Sequence, residues 1–299
     1  MKALLFEGGR ATVGDVPRPR ARDGRTLVRV VLSGICNTDL ELLRGYHGFS
    51  GVPGHEFVGV VEGPSGSPLL GRRVVGEINL PCGRCSWCAR GLRRHCPKRT
   101  VLGILRHPGA HAELLTLPEE NLHAVPDSVP DEEAVFTEPL AAACEVLEQV
   151  DVAPGTRACV LGPGKLGTLV AQVLRNAGAE VALVGRDAKP RGGFDLVVEA
   201  TGSPEGMRRA IGLVRPRGTI VWKSTHHAPA RFDASPLVVN EITVVGSRCG
   251  PFAPALALLR ERHADVRPLL SAILPLGDAP RALRLAGRRG VKKVLLRPS

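Results

Sequence analysis

The sequence predicts an α/β protein made of a mostly β, barrel-like domain and a doubly wound parallel sheet. The chain has 299 residues, which suits about two domains. Its first half alternates short β-type runs with turns rich in Gly, Pro and Asp, a pattern typical of barrels. From Arg157 onward, apolar strands alternate with glycine turns and helices, which indicates a parallel sheet covered on both faces.

The first half contains three clear β-type runs and ends in a helix. The runs are Leu27–Leu32, Phe57–Val61 and Arg73–Val75. Asp131 can cap a helix, the acidic residues behind it suit a first turn, and the alanine-rich stretch after Pro139 propagates helix. We therefore predict helix through "DEEAVFTEPLAAACEVLEQV".

The second half predicts five strands, in the segments "RACVLG", "EVALVG", "DLVVEATG", "GTIVWKS" and "EITVVGS". A helix over "LGTLVAQVLRNAG" should end at Gly178. The leucine-rich "PALALLRERHADVRPLLSAILPL" is also predicted to be helical, and the short strand "VKKVLLRP" comes after it. The strand "EITVVGS" is expected at a sheet edge.

Composition and charge limit the classes of partner. The formal net charge is +11, from 40 Lys and Arg against 29 Asp and Glu. The excess arginines are scattered in pairs without an aromatic-rich stretch for base stacking, so we expect no nucleic-acid partner. No segment reaches the ~20 apolar residues of a membrane helix, and no secretory signal is evident. We expect a cytoplasmic protein without membrane contact, in which cysteines stay reduced.

Four of the eight cysteines form the most specific motif, "CGRCSWCARGLRRHC". The spacing C-x2-C-x2-C-x7-C lets successive thiolates converge on one ion, and four sulfurs complete a tetrahedral zinc shell. Such a closed shell leaves no position for substrate, so this zinc would be structural. Iron–sulfur ligation remains the alternative, because thiolates serve both metals. The cysteines concerned are Cys82, Cys85, Cys88 and Cys96.

The segment "GPGKLG" predicts a dinucleotide site because it lies between a buried strand and a helix. Gly162 permits the tight turn, Gly164 lets a pyrophosphate approach the backbone, and Gly167 lets the helix pack on the strand. The helix N-terminus would face the phosphates. The remaining residues of the loop that we assign to cofactor binding are Lys165 and Leu166.

The residues at the end of the second strand favour NADP over NAD. An acidic residue for the adenosine ribose is missing at the strand end, where Gly185 stands. Arg186 comes next and can pair with a 2′-phosphate. Asp187 keeps NAD open as the alternative.

Three short segments of the β domain supply sulfur, nitrogen and oxygen donors. They carry Cys36 in "GICNTDLE", the pair His55 and Glu56 in "GHEFVGVV", and Glu138 in "FTEPL". Each residue alone has a plain structural explanation. Together they match the donor set of an open, catalytic zinc site.

With these motifs in order, the chain resembles the zinc-dependent medium-chain dehydrogenase/reductases, which include alcohol, sorbitol, threonine and glucose dehydrogenases. The resemblance covers nearly the whole chain, through "GICNTDLE", "GHEFVGVV", the cysteine cluster, "TEPLAAA", "VLGPGKLG" and "VVEATG". It implies a GroES-like β-barrel catalytic domain at residues 1–147 and 250–299. It also implies a Rossmann NAD(P)-binding domain at residues 148–249, with a role for Thr201 in cofactor binding.

This chain departs from the resemblance between two strands of the Rossmann domain. Only nine residues, Gly185–Gly193, separate "EVALV" from "FDLVVE", whereas relatives fit a helix and a strand there. A crossover connection needs about a dozen residues or more. We therefore predict that an edge strand and its helix are absent.

The resemblance also implies roles around the catalytic zinc. Cys36 and His55 would bind the ion, with Glu56 as a direct or a switching ligand. Glu138 stands where alcohol dehydrogenases place a second cysteine and polyol dehydrogenases a glutamate. Asp39 would orient His55, and Thr38 would hydrogen-bond the substrate hydroxyl. Glu41 replaces the histidine relay of some relatives, which leaves His47 as a candidate for proton release.

The expected function is hydride transfer between NAD(P) and the carbinol carbon of a secondary alcohol, polyol, sugar or amino alcohol. The resemblance implies two zincs per subunit, and Gly185 and Arg186 favour NADP as the cofactor. The resemblance also implies a small alcohol or carbonyl substrate and a homodimer or homotetramer. One alternative is a pathway-specific dehydrogenase of a larger secondary alcohol, of the bacteriochlorophyllide type. The other is a non-catalytic relative that keeps its zinc.

Overall fold

The computed structural model describes residues 1–21, 24–225 and 229–298. Its strands, in chain order, are β1 (Lys2–Glu7), β2 (Arg10–Asp15), β3 (Arg25–Ile35), β4 (Glu56–Gly63), β5 (Arg73–Gly76), β6 (Asn79–Leu80), β7 (Thr100–Val101), β8 (Leu114–Pro118), β9 (Leu122–Ala124), β10 (Arg157–Leu161), β11 (Glu180–Val184), β12 (Phe194–Glu199), β13 (Val214–Trp222), β14 (Thr243–Gly246), β15 (Leu270–Pro275) and β16 (Lys293–Arg297).

The helices lie mostly between the strands of the second half. They are α1 (Asn37–Leu43), α2 (Ser86–Ala89), α3 (Asp131–Ala134), α4 (Thr137–Gln149), α5 (Lys165–Asn176), α6 (Gly206–Leu213), α7 (Ser235–Val239), α8 (Phe252–Arg260) and α9 (Ala279–Ala286). The chain forms two compact units, one of residues Met1–Glu138 with the segment from Asp265 onward, and one of residues Pro139–Ala264.

The first unit is built on a mixed, mostly antiparallel sheet. Over the described residues its strand order is β15-β16-β3-β4-β5-β9, and β8 also pairs with β3. β3 is the longest strand, because one half pairs with β8 and the other with β16, while β4 runs along the opposite edge. The core joins both ends of the chain, since Leu4, Phe6 and Ile35 pack with Leu283 and Leu296. The predicted β domain is confirmed.

The second unit is a parallel sheet with the order β11-β10-β12-β13-β14. Its strands follow the predicted segments, and its core contains Cys159, Leu161, Val197 and Ile220. No helix or strand lies between β11 and β12, all of whose intervening residues are described. The predicted loss of an edge strand is therefore confirmed, and β11 and β14 form the two edges.

Two of the predicted helices differ from the structure. The helix expected from Asp131 to Gln149 is interrupted at residues 135–136 and becomes α3 and α4. The leucine-rich C-terminal segment is helical only to Arg260, where α8 ends. Its later part forms β15, because Pro268 removes a helical donor and Ile273 pairs in register with Leu295 of β16. A leucine-rich run is compatible with a helix or a strand, and here pairing with β16 favours the strand.

Gly59 shows how tightly β4 is held between its neighbours. A Cβ at this position would lie 2.5 Å from the backbone oxygen of Arg29 and 2.5 Å from a methyl group of Val28. Backbone atoms of a paired strand cannot yield without loss of ladder hydrogen bonds. The glycine therefore allows β4 to approach β3.

Replacement of Gly59 by Ala is expected to lower the free energy of unfolding by about 1–3 kcal/mol, as in other overpacked cores. Urea denaturation would measure the change. The matched control is Gly66→Ala, where a Cβ meets nothing within 4 Å. Equal stability of the two variants would contradict the close approach of the strands.

Candidate active site

Cys36, Thr38 and Asp39 are positioned by the junction of β3 and α1. Cys36 is the N-cap of α1 with extended backbone, and its N–H donates to Asp39 Oδ2 at 2.8 Å. The Cys36 sulfur lies 3.7 Å from the Thr38 hydroxyl. Because an acidic side chain at the third helical position reaches back to the cap, the turn points Asp39 into the core. Asp39 is fully buried, whereas Cys36 and Thr38 are half-buried.

His55 and Glu56 lie where a loop enters β4, opposite the end of β3. Both side chains are buried, with exposed fractions of 3% and 1%. His55 Nδ1 lies 3.6 Å from Asp39 Oδ1, so the other ring nitrogen remains for a ligand. Glu56 pairs in register with Gly34, where a Cβ would lie within 2.5 Å of Glu56 Oε2. The missing side chain of Gly34 thus makes room for the carboxylate.

Donor atoms of Cys36, His55 and Glu56 all lie within 4.8 Å of one another. The structure thus brings together three of the four predicted donors. Glu138, in the first turn of α4, is not part of this group, although its charge acts on nearby Lys293. Glu56 Oε1 is buried and accepts no hydrogen bond from any described residue. An orphaned carboxylate oxygen beside a thiol and an imidazole fits a metal ion.

The charges of this group support one another. Burial opposes ionisation of Asp39, but His55 and His111 outweigh that effect and hold the pKa of the carboxyl well below its usual range. Burial likewise opposes protonation of His55, but Asp39 outweighs it and raises the imidazole pKa. The site therefore favours a positive charge beside Asp39. A metal ion binds the neutral imidazole. It would therefore replace the proton on the ring nitrogen that does not face Asp39.

Lys293 is a buried partner of the site that sequence reasoning missed. Its ammonium forms an ion pair with Glu56 Oε2 and lies 3.4 Å from the backbone oxygen of Ile35. Burial lowers the lysine pKa, but the charges of Glu56 and Cys36 outweigh it, so that the pKa rises. The only signal in the sequence is a lysine in an apolar strand. Nothing in the sequence ties it to a carboxylate 237 residues away.

The four clustered cysteines form a second group. Their sulfur atoms all lie within 4.8 Å of one another, with separations of 3.5 Å for Cys85–Cys88, 3.7 Å for Cys85–Cys96 and 3.6 Å for Cys82–Cys96. A tetrahedron with ~2.3 Å zinc–sulfur bonds has edges of ~3.8 Å, so the separations fit a single ion. Hydrogen bonding from the backbone of Arg84 lowers the pKa of Cys82 to about 6, which favours the thiolate that zinc requires.

The glycine loop joins β10 to α5 in the second unit. Gly162 has a φ of +101°, and a Cβ there would lie 2.6 Å from the backbone oxygen of Ala200. A Cβ on Gly167 would lie 1.9 Å from the backbone oxygen of Gly162. Gly164, by contrast, faces open space. It is the N-cap of α5 and has no side chain that could occupy the first amides of the helix. The first amides of α5, which begins at Lys165, are thus available to an anion.

The other predicted cofactor residues surround this loop. Leu166 is half-buried in the first turn of α5, and Thr201 donates from its hydroxyl to buried Glu199 at 2.5 Å. Arg186 is exposed in the short connection after β11. Sequence reasoning missed Arg209, whose guanidinium donates to the backbone oxygens of Gly185 and Ala188 at 3.0 Å and braces that connection. The side chain of His47 lies outside the described part of the structure.

Within the described part of the chain, no helix is both long and apolar enough to cross a membrane.

Removal of the Lys293 ammonium is expected to destabilise the first unit strongly. In protein freed of metal by a chelator, Lys293→Met keeps most of the apolar stem but leaves Glu56 buried without a cationic partner, which should cost about 3–5 kcal/mol of unfolding free energy. Urea denaturation measures it. The control is Arg29→Met, which breaks the more exposed 2.8 Å pair with Glu62 and should cost less than about 1 kcal/mol. Similar losses for the two variants would show that the buried pair has no special role.

Comparison with known proteins identifies the family. The model described as "Alcohol dehydrogenase GroES-like domain" matches residues 22–127, and "Zinc-binding dehydrogenase" matches residues 186–261. The chain is 28% identical to a sorbitol dehydrogenase of Halalkalibacterium halodurans over 343 positions, covering 100% of this chain and 99% of the relative. It is 30% identical to a D-altritol 5-dehydrogenase of Agrobacterium fabrum, covering 93% and 94%.

A solved structure agrees with these sequence matches. Alcohol dehydrogenase TADH from Thermus sp. ATN1 superimposes with a TM-score of 0.89 and 30% identity, covering 100% of both chains. The alignment to the sorbitol dehydrogenase needs 343 positions for a chain of 299 residues, so this chain lacks segments that the relative has. The chain belongs to the zinc-dependent medium-chain dehydrogenase/reductase family and is an oxidoreductase of the NAD(P)-dependent alcohol and polyol dehydrogenase type.

Proposed function

We propose that this chain is a zinc-dependent dehydrogenase that oxidises a secondary hydroxyl of a polyol, sugar or amino alcohol and reduces NADP. The observation that carries the proposal is the group of Cys36, His55 and Glu56, whose donor atoms lie within 4.8 Å of one another. Relatives named sorbitol dehydrogenase, D-altritol 5-dehydrogenase and D-xylulose reductase support the substrate class. Two of these names give a polyol, and the third gives a ketose.

Cys36, His55 and Glu56 would hold the catalytic zinc. Three protein donors leave a coordination position open, which is typical of catalytic zinc. When bound, zinc supplies a Lewis acid that polarises the substrate oxygen and lowers its pKa. Glu138 is half-buried and lies outside the group of three, so we assign it to the surroundings of the site, where its charge acts on Lys293.

The chain's own residues would manage the proton and the charges. Thr38, whose hydroxyl lies 3.7 Å from the Cys36 sulfur, would accept a hydrogen bond from the substrate hydroxyl and begin proton release to water. Oxidation removes this proton from the hydroxyl oxygen and a hydride from the carbon that bears the hydroxyl, and a carbonyl forms. A bound nicotinamide cofactor would supply the acceptor for this hydride. Asp39 would hold His55 in one orientation, and Lys293 offsets the carboxylate of Glu56.

The four clustered cysteines would hold a second, structural zinc. Their sulfur atoms all lie within 4.8 Å of one another, which supports one ion and not a multi-iron cluster, in which the four thiolates are divided among two or four irons. The shell is complete with four thiolates, so no substrate can enter it.

Cofactor binding would involve the glycine loop and the connection after β11. The first amides of α5, open at Gly164, would take the pyrophosphate. Arg186 would pair with the 2′-phosphate of NADP, in a connection whose backbone oxygens at Gly185 and Ala188 accept hydrogen bonds from Arg209. Thr201, held by Glu199, would line the same end of the sheet.

We further propose a homodimer or homotetramer associated through β14. This strand is an edge of the parallel sheet, and Val244 on it is 39% exposed. An unpaired edge with an apolar side chain offers a second copy both hydrogen bonds and burial.

Metal analysis of the purified protein is expected to give two zincs per subunit. Cys36→Ser should lose one zinc and all turnover of a polyol panel with NADP, while the four-cysteine zinc remains. Cys249→Ser, which changes a cysteine outside both donor groups, is the control and should keep both ions. Two zincs retained in Cys36→Ser would contradict the assignment. Two zincs with neither cofactor binding nor turnover would favour a non-catalytic relative.

Cofactor choice is expected to depend on Arg186. Arg186→Ala should weaken NADPH binding about tenfold, because a hydrogen bond to a charged group contributes about 1.5 kcal/mol, and should leave NADH binding unchanged. Fluorescence titration measures both affinities.

The control for this variant is its neighbour Asp187, which is also exposed. Asp187→Ala should not weaken NADPH binding. A selective loss of NADH affinity in Asp187→Ala, with no effect of Arg186→Ala on NADPH, would instead identify an NAD enzyme.

A further inference from the structure

We infer that His111, with Ser33, is a positioning residue of the proposed zinc site: it holds Asp39 from the side opposite His55 and so fixes the ring that binds the metal. This inference rests on the proposed catalytic zinc. His111 lies far from the other site residues in sequence and belongs to none of the motifs that carry the family resemblance.

The loop that carries His55 is attached to the backbone around His111. Residues 109–111 pair with residues 52–54 through three hydrogen bonds, from Gly109 N to Val52 O at 2.8 Å, from Ala110 N to Gly54 O at 2.8 Å and from His111 N to Pro53 O at 3.0 Å. The chain before His55 is thus fixed to the same segment that supplies the His111 ring.

The ring of His111 also fills the place of a side chain on Gly54. Gly54 has a φ of +101°, and a Cβ there would lie 2.7 Å from Cγ and Nδ1 of His111. The residue immediately before the proposed ligand therefore packs on the His111 ring. A rotation of this ring would displace the entry to β4, on which His55 stands.

The His111 ring links two fully buried polar groups. Its Nδ1 lies 2.8 Å from the hydroxyl of Ser33 on β3, and its Nε2 lies 3.5 Å from Asp39 Oδ2. Both Ser33 and His111 are completely buried. Nε2 has no closer hydrogen-bond partner among the described residues, so the carboxylate is the group it faces.

The tautomer of His111 is set by this arrangement. If Nδ1 carried the proton, the lone pair of Nε2 would face a buried carboxylate and repel it. Donation from the Ser33 hydroxyl to Nδ1 places the proton on Nε2, where it points at Asp39. At 3.5 Å the contact is longer than an ordinary hydrogen bond, so the Nε2 proton acts on the carboxylate mainly through its partial positive charge.

Asp39 thus accepts one hydrogen bond, from Cys36 N–H at 2.8 Å, and faces two imidazole nitrogens, His111 Nε2 at 3.5 Å and His55 Nδ1 at 3.6 Å. Cys36 N–H and His111 Nε2–H converge on Oδ2, and His55 Nδ1 faces Oδ1. A carboxylate fixed in this way stays ionised and keeps the His55 proton on Nδ1, so the lone pair of the other nitrogen is presented to the metal. His111 thereby controls metal affinity without touching the metal.

The inference is tested by the zinc affinity of the catalytic site, measured by competition with a chromophoric chelator. His111→Phe keeps a ring of similar size but removes the donor, and should weaken zinc at this site about tenfold, with the four-cysteine zinc unchanged. His111→Gln, which can place an amide N–H near the Nε2 position, should recover part of the loss. Cobalt substituted at the site should show a shifted visible spectrum in His111→Phe.

Ser33→Ala is the second variant, in case His111→Phe does not fold. It removes only the hydroxyl that sets the tautomer and should weaken zinc a few-fold. The control is Ser67→Ala, which removes another buried hydroxyl of the same unit, bonded to Glu119 at 2.5 Å. Unchanged catalytic-site affinity in Ser33→Ala or in folded His111→Phe would overturn the inference. Parallel weakening of both zinc sites would also overturn it, because it would indicate a general structural role.

Failure of the proposed function gives a different result. A wild-type protein with zinc only at the four cysteines would overturn the catalytic zinc and, with it, the role of His111. A wild-type protein with two zincs whose affinities ignore His111 and Ser33 would overturn the role of His111 alone.

Discussion

The compensation of buried charge is the constraint on which the first unit depends. Asp39, Glu56 and Lys293 are all at least 98% buried, in a domain whose other interior residues are mostly aliphatic. A charged side chain in such surroundings is tolerated only when a group of opposite charge or a hydrogen-bond partner on another element contacts it. Lys293 on β16 forms an ion pair with Glu56 on β4, and Asp39 on α1 faces His55, the residue before Glu56, so these contacts tie the C-terminal strand to the N-terminal part of the sequence. The fold and the donor group are therefore maintained by the same contacts.

β3 organises this arrangement because it contributes at several points along its length. Ser33 faces the His111 ring, Gly34 leaves room for Glu56, and Ile35 offers its carbonyl to Lys293. Cys36 comes next at the end of the strand, where α1 begins. A strand paired on both sides cannot slide without turning every side chain to the opposite face. The separations among these groups are thus set by sheet register, which suits a site that must hold an ion.

Much of the architecture could be predicted from the sequence, because local patterns encode it. Glycine spacing and continuous apolar strands revealed the parallel sheet, and four closely spaced cysteines revealed their own cluster. Lys293 and His111 could not be found in this way, since their roles arise from pairing between distant segments. The leucine-rich C-terminal segment was misread for the same reason: partners in β16, and not local propensity, make β15 a strand. The position of Glu138 outside the group of Cys36, His55 and Glu56 likewise could not be read from local sequence, because it depends on three-dimensional distances.

The shortened connection between β11 and β12 carries a consequence for how such a chain can arise. In a doubly wound sheet that starts from a central strand, the third strand along the chain lies at the margin. Its removal breaks one ladder only, and the remaining strands keep their order, β11-β10-β12-β13-β14. A single contiguous deletion could therefore have produced this sheet without rethreading the chain. Deletion of β10 or β12 would instead remove the hydrogen bonds to two neighbouring strands. An edge strand is therefore the strand whose loss during evolution disturbs the sheet least.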